Sequence, residues 1–175
     1  MKIQRLAGVS AIQIDQLAEV LHDCVHGGAS VSFMLPFPID EARRFWQGVA
    51  QGVERRERLL IVGETEDGRI VGTVQLVLAQ PPNQPHRADL AKMLVHRMAR
   101  GRGLGALLLQ AAERAALDCG KTLLVLDTAS AEAERLYERA GWVRCGRVPD
   151  YALLPQGGLC DTHFFFRQLA PVAVG

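Results

Sequence analysis

The sequence predicts an α+β fold in which an antiparallel strand meander precedes a β-α-β unit. Three observations lead there. Strand-like runs at residues 59–64 and 70–79 flank Asp67-Gly68, whose glycine supplies the positive φ of a tight hairpin turn. A third run, residues 88–96, follows a connection marked by Pro81, Pro82 and Pro85. Beyond it, segments of helical period alternate with strand-like ones to Leu169.

Each element has a local reason. Residues 1–6 alternate weakly, as a first strand would. Ser10 followed three residues later by Gln13 forms a capping box, and the helix it opens places Ile14, Leu17, Leu21 and Cys24 or Val25 on one face until Gly27 and Gly28 end it. Residues 27–39 are apolar without a period, so they pack over the core or line a pocket. Asp40 is expected to cap a second helix, with Ala42, Phe45 or Trp46, Val49 and Val53 buried and Arg43, Arg44, Arg55, Arg56 and Arg58 solvated. After the meander, residues 104–119 read as a helix with Leu104, Leu107 or Leu108, Ala111 and Ala115 inward. Residues 122–126 form a short continuous apolar run, the mark of a strand buried on both faces. A helix at 131–140, closed by Gly141, and strands at 142–148 and 163–169 complete the chain.

Length and charge narrow the function classes. The 175 residues, 49% apolar and 22% charged, are expected to form one domain over residues 1–170, with a tail at 171–175. Lys plus Arg number 20 against 19 Asp plus Glu, so the balance of +1 gives no general reason to expect nucleic acid or an anionic membrane as partner. Neither a secretory apolar run nor a stretch of about 20 apolar residues is present, and a cytoplasmic location is expected. Cys24, Cys119, Cys145 and Cys160 stand apart, so reduced thiols are expected. The histidines lack ligand spacing, and no metal is expected.

The chemistry is concentrated after the third meander strand, in Arg100-Gly101-Arg102-Gly103-Leu104-Gly105-Ala106. A strand here feeds a glycine loop that opens into a long helix, an arrangement in which backbone N–H groups converge on an anion at the helix N-terminus. Arg97, Arg100 and Arg102 add charge at the same place, and the ligand implied is a pyrophosphate. Gly101-x-Gly103-x-x-Ala106 also satisfies the dinucleotide fingerprint formally. Its context differs: that fingerprint wants its first glycine directly after a strand near the start of a doubly wound sheet, whereas four residues separate His96 from Gly101 here.

The second way to read the loop is Arg100-x-x-Gly103-x-Gly105, which resembles the Gln/Arg-x-x-Gly-x-Gly/Ala pyrophosphate loop of the GNAT superfamily of N-acetyltransferases. A second block, Ala133-x-x-Leu136-Tyr137-x-x-x-Gly141-Trp142, is similar to that family's A-x-x-L-Y-x-x-x-G-F segment. Leu126-Asp127-Thr128, Val148-Pro149-Asp150-Tyr151 and residues 161–166 resemble tabtoxin-resistance-type members. The resemblance implies the GNAT-like acyl-CoA N-acyltransferase fold, a central mixed and mostly antiparallel sheet flanked by helices. Two positions depart from the family pattern: Arg97 stands where proline is usual, and Ser130 where asparagine is usual. Serine reaches less far than an amide, which weakens its expected cofactor contact.

From the resemblance follow a donor, acetyl-CoA, and roles for residues. The backbone of Met93, Leu94 and Val95 is expected to hold the pantetheine arm where two strands splay, with the Leu94 N–H as oxyanion donor. Gly101, Arg102, Gly103, Leu104, Gly105 and Ala106 are expected to cradle the pyrophosphate, with Arg100 and Ser130 beside them. Tyr137 matches the family tyrosine that protonates or orients the leaving sulfur. An alkyl ammonium with a pKa of about 10.4 must lose a proton before it attacks a thioester. Asp89 is the expected base and Asp127 the second candidate, while His86 and His96 are more in keeping with structural roles. The reaction expected is direct transfer in a ternary complex to a small-molecule or peptide amine. A catalytically idle acyl-CoA-binding sensor is the alternative, and strands exposed at the sheet end make a homodimer an expectation.

Overall fold

In the computed structural model, which describes residues 1–169, the elements run in the order β1 (Lys2–Leu6), α1 (Ala11–His26), α2 (Ile39–Glu54), β2 (Arg58–Glu64), β3 (Ile70–Val77), β4 (Arg87–Val95), α3 (Leu104–Asp118), β5 (Leu123–Thr128), α4 (Ala131–Arg139), β6 (Val143–Leu153) and β7 (Leu159–Gln168). The expected tail at 171–175 lies outside the described residues. A single seven-stranded sheet has the order β1-β2-β3-β4-β5-β7-β6. Every pairing is antiparallel except β4 with β5. This is the mixed, mostly antiparallel sheet the sequence predicts, and a doubly wound parallel sheet is ruled out.

The sheet divides two apolar cores. Leu17, Leu21, Trp46, Leu60 and Val62 lie in the one under α1 and α2, and Leu76, Leu108, Leu124 and Phe165 in the one under α3 and α4. Close approach of α3 to the sheet depends on Gly72, where a Cβ would stand 2.9 Å from Leu104 Cδ2, 3.1 Å from Leu108 Cδ1 and 3.2 Å from the Leu94 carbonyl. The start of α3, and with it the preceding glycine loop, is thereby set against β3 and β4.

The capping box forms as expected: Ser10 Oγ accepts from the Gln13 N–H at 3.3 Å, and Gln13 Oε1 from the Ser10 N–H at 3.0 Å. Four local expectations are corrected. Pro38 occupies the N-cap of α2, and Asp40 sits in the first turn, where it pairs with Arg43 at 2.6 Å. A carboxylate there is stabilised by the helix dipole without acting as a cap. Arg58 belongs to β2, and its Nη1 donates to Gln75 Oε1 at 3.1 Å. In β5 only Leu124 and Leu126 are fully buried, because α1 and α2 cover β2 to β4 and leave the other face of β5 open. Strand β6 runs beyond Val148 through Pro149, since proline is tolerated in an edge strand at the irregularity between Val148 and Ala152.

Candidate active site

The site begins where β4 and β5 part. Their parallel register covers Arg87, Ala88 and Asp89 against Leu123, Leu124 and Val125, and then stops. Beyond it β4 carries an irregularity opposite β3 between Thr73 and Gln75, with Lys92 at φ +49°. A β-bulge of this kind bends a strand and redirects its side chains. The result is a cavity of about 960 Å³ between the diverging strands, roofed by residues 27–34 and by the β6–β7 hairpin. Ser30 Oγ donates to the Leu153 carbonyl at 3.2 Å, and the Leu35 N–H to the Pro155 carbonyl at 2.8 Å, so the two roof segments are tied together.

Met93, Leu94 and Val95 line the cavity, but their backbone groups point in different directions. The His96 N–H donates to the Val71 carbonyl of β3 at 2.9 Å, whereas the Val95 carbonyl accepts from Arg100 Nε at 3.1 Å. Successive residues of a strand direct their backbone groups to opposite edges. Leu94, in register with Thr73, therefore turns its N–H to β3 rather than into the opening. This register argues against the oxyanion role expected for Leu94 and turns the backbone of Val95 toward the gap, while Met93 stands in the bulge beside it.

At the anion end, Gly101 (φ +73°) and Gly103 (φ +78°) line the cavity, and no atom lies within 4 Å of a Cβ built on either. Gly103 is the N-cap of α3, so the first N–H groups of Leu104, Gly105 and Ala106 have no intrahelical acceptor. An unpaired strand edge followed by open glycines and a bare helix N-terminus fits a long, phosphate-bearing thioester. Gly105 has a packing role as well, since a Cβ there would meet Leu136 of α4 at 3.2 Å. The arginines separate. Arg100 lines the cavity and reaches Val95, whereas Arg97 is bound to Asp23 of α1 and Arg102 is exposed away from the cavity wall.

The candidate catalytic groups also separate. Tyr137 lines the cavity, only 3% exposed, with its ring 5.6 Å from Trp142 and 5.8 Å from Phe165. Burial, and secondarily the negative charge of Asp127, raises its pKa above the usual tyrosine range and keeps the phenol protonated. Asp127 lines the same cavity and accepts from Thr162 Oγ1 at 2.8 Å. Asp89 does not line it: this carboxylate sits where β4 and β5 are still paired, bound by Arg87 at 2.6 Å and Gln80 at 3.2 Å. Ser130 lines the cavity and caps α4, accepting from the Ala133 N–H at 3.3 Å. His96 approaches Asp23 at 3.7 Å, a structural contact.

Sequence reasoning missed Lys92. Its Nζ donates to Ser32 Oγ at 3.1 Å and lies 5.8 Å from the ring centroids of Phe33 and Phe45. The one available signal was a lysine between apolar residues in the strand that leads to the glycine loop; the bulge at which it sits is a tertiary feature. Among the described residues no group of three His, Cys, Asp or Glu is arranged to hold a metal ion, and no helix is long and apolar enough to cross a membrane.

Comparison with known proteins agrees with this geometry. The model of the Acetyltransferase (GNAT) family matches residues 25–142. Among solved structures, a protein provisionally named as a phosphinothricin N-acetyltransferase superposes with a TM-score of 0.79 at 19% identity, over 97% of this chain and 99% of that one. An N-acetyltransferase from Staphylococcus aureus Mu50 gives 0.79 at 21% identity, over 97% and 100%. The structure of yncA from Salmonella typhimurium with its cofactor acetyl-CoA gives 0.78 at 18% identity, over 100% and 98%. At these identities the likeness is one of fold; the family match spans most of the chain and includes both the glycine loop and Tyr137. The chain belongs to the GNAT family of acetyltransferases, whose acetyl donor is acetyl-CoA.

Proposed function

We propose that the protein transfers the acetyl group of acetyl-CoA directly to an amine bound in the same cavity. The observation that carries this reading is the meeting of a glycine loop, an unpaired β4 edge, Tyr137 and Asp127 on one cavity wall. The first N–H groups of α3 hold the pyrophosphate, and Val95 holds the pantetheine arm. The Met93 N–H, in the bulge that lines the cavity, stabilises the oxygen that gains charge when the amine attacks. Asp127 receives the ammonium proton, directly or through water, and the amine nitrogen then forms its bond to the thioester carbon. As the carbon–sulfur bond breaks, Tyr137 donates its proton to the sulfur, and the second proton lost by the nitrogen on forming the amide passes through water to restore the phenol. Asp127 replaces Asp89 as the proposed base, because Asp89 is held by Arg87 outside the cavity.

Thiol release from acetyl-CoA across a panel of amines, amino acids, aminoglycosides and peptides tests the reading. Stabilisation against heat by CoA accompanies it, and stabilisation by NAD alone overturns it. An idle sensor would bind CoA but release no thiol with any acceptor of the panel; Tyr137 and Asp127 beside the opening favour the enzyme. We also infer a cytoplasmic homodimer joined through the exposed edge strand β6, with its Val143, Val148 and Leu153, which light scattering tests by molar mass.

A further inference from the structure

The cavity wall opposite the glycine loop carries a cation, Lys92, and an anion, Asp127, neither of which has an ion-pair partner among the described residues. Lys92 is partly buried, hydrogen-bonded to the Ser32 hydroxyl and set over two aromatic rings, with no ion pair among the described residues. Asp127 is likewise held by a hydroxyl, that of Thr162. Of the other charges that line the cavity, Asp161 is already committed to Arg147 and to the Asp150 N–H, Arg100 donates to the Val95 carbonyl, and Glu132 and Arg139 stand on α4. Lys92 also adopts φ +49°, a left-handed conformation that costs a non-glycine residue energy and is retained where the surroundings enforce it.

An ammonium partly withdrawn from water gains when an anion meets it. Burial pushes the Lys92 pKa down, against the opposing effect of the Asp127 charge. The two charges line the same cavity but do not pair with each other, so a ligand with an opposite charge for each would satisfy both. Resting on the acetyltransferase reading above, we infer that the acceptor is a small amino acid: its amine faces Asp127 and its carboxylate is received by Lys92. Lys92 is thus a specificity residue, sensing the acid group of the substrate and not reacting itself. Phe33, Met34 and Tyr151 beside it leave an apolar surface for the substrate's side chain.

The test compares each of the twenty common L-amino acids with its decarboxylated amine in the thiol-release assay, using wild type, Lys92→Met and Lys92→Arg. The expected result is at least one amino acid with kcat/KM about tenfold or more above that of its amine, the scale of a charge-assisted contact. Lys92→Met is expected to erase this preference and Lys92→Arg to keep part of it. Amines that match or exceed their acids, failure of every acid, or an undiminished preference in Lys92→Met each overturn the inference. Should Lys92→Met not fold by circular dichroism, the wild-type ratios and Lys92→Arg decide alone. Acetyl-CoA binding, measured in parallel by calorimetry, keeps the two proposals apart: loss of binding in wild type strikes the acetyltransferase reading, whereas binding with indifferent use of acids and amines strikes only the role of Lys92.

Discussion

Asp23 of α1 accepts two hydrogen bonds from Arg97, from its backbone N–H and from Nε, each at 2.8 Å. These contacts anchor the turn that leads from β4 into the glycine loop. Burial would raise the Asp23 pKa, but the Arg97 hydrogen bonds and the charges of His96 and Arg97 together bring it below its usual value. A depressed folded-state pKa means that the contact stabilises the fold above the unfolded carboxyl pKa of about 3.9 and is lost as pH falls through the lower folded value. Asp23→Asn is expected to raise the KM for acetyl-CoA several-fold and to flatten the acid limb of the stability curve, measured by thermal melts below neutral pH. An acid limb identical to wild type would count against the anchor.

Tyr137→Phe removes a proton donor while keeping the ring against Trp142 and Phe165. Turnover is expected to fall by about 10²-fold or more, the usual scale of general acid catalysis. The melting temperature and the affinity for acetyl-CoA should change little. Steady-state kinetics with an identified acceptor, and calorimetry, check both halves.

Asp127→Asn and Asp89→Asn separate the two candidate bases. Asp127→Asn is expected to lower kcat/KM for the acceptor by about 10²-fold. Asp89→Asn breaks an ion pair whose carboxylate is 40% exposed, and such pairs contribute about 0–1 kcal/mol. It should leave turnover within about twofold of wild type, a small effect in keeping with the loss of a surface pair. Reversal of this order in the thiol-release assay would restore Asp89 as the base.

Gly103→Val tests the phosphate cradle. At φ +78° a β-branched residue is strained, and its side chain enters space that is empty within 4 Å in the chain itself. Binding of CoA should weaken by about tenfold or more, equivalent to about 1.4 kcal/mol. Calorimetry with CoA reads the effect directly, and unchanged affinity would remove the loop from the binding site.

Gly72→Ala tests how the sheet positions that cradle. Crowding by Leu104, Leu108 and the Leu94 carbonyl leaves no room for a methyl group without movement of α3. Overpacking of this kind costs about 1–3 kcal/mol. A lower melting temperature, accompanied by weaker CoA binding, is expected; loss of stability with full CoA affinity would show that the loop does not depend on the seating of α3.

Local chemistry is what the linear sequence by itself determined. The Ser10–Gln13 capping box, the turn at Gly68 and the arginine–glycine loop before α3 need only neighbours a few residues away, so their pattern was readable directly. The order of elements made the mixed sheet legible, and Tyr137 was legible through the family's second motif. Tertiary structure decided which groups meet. Asp89 and Asp127 are both acids on strands, and only the parting of β4 from β5 leaves one in a closed ion pair and the other in the cavity. The turning of Leu94 toward β3 depends on its register with Thr73, and the placing of Lys92 in the cavity wall on the bulge beside it, both set by pairing between residues distant in the chain. Register and splay are properties of two strands at once, and no spacing along either strand specifies them.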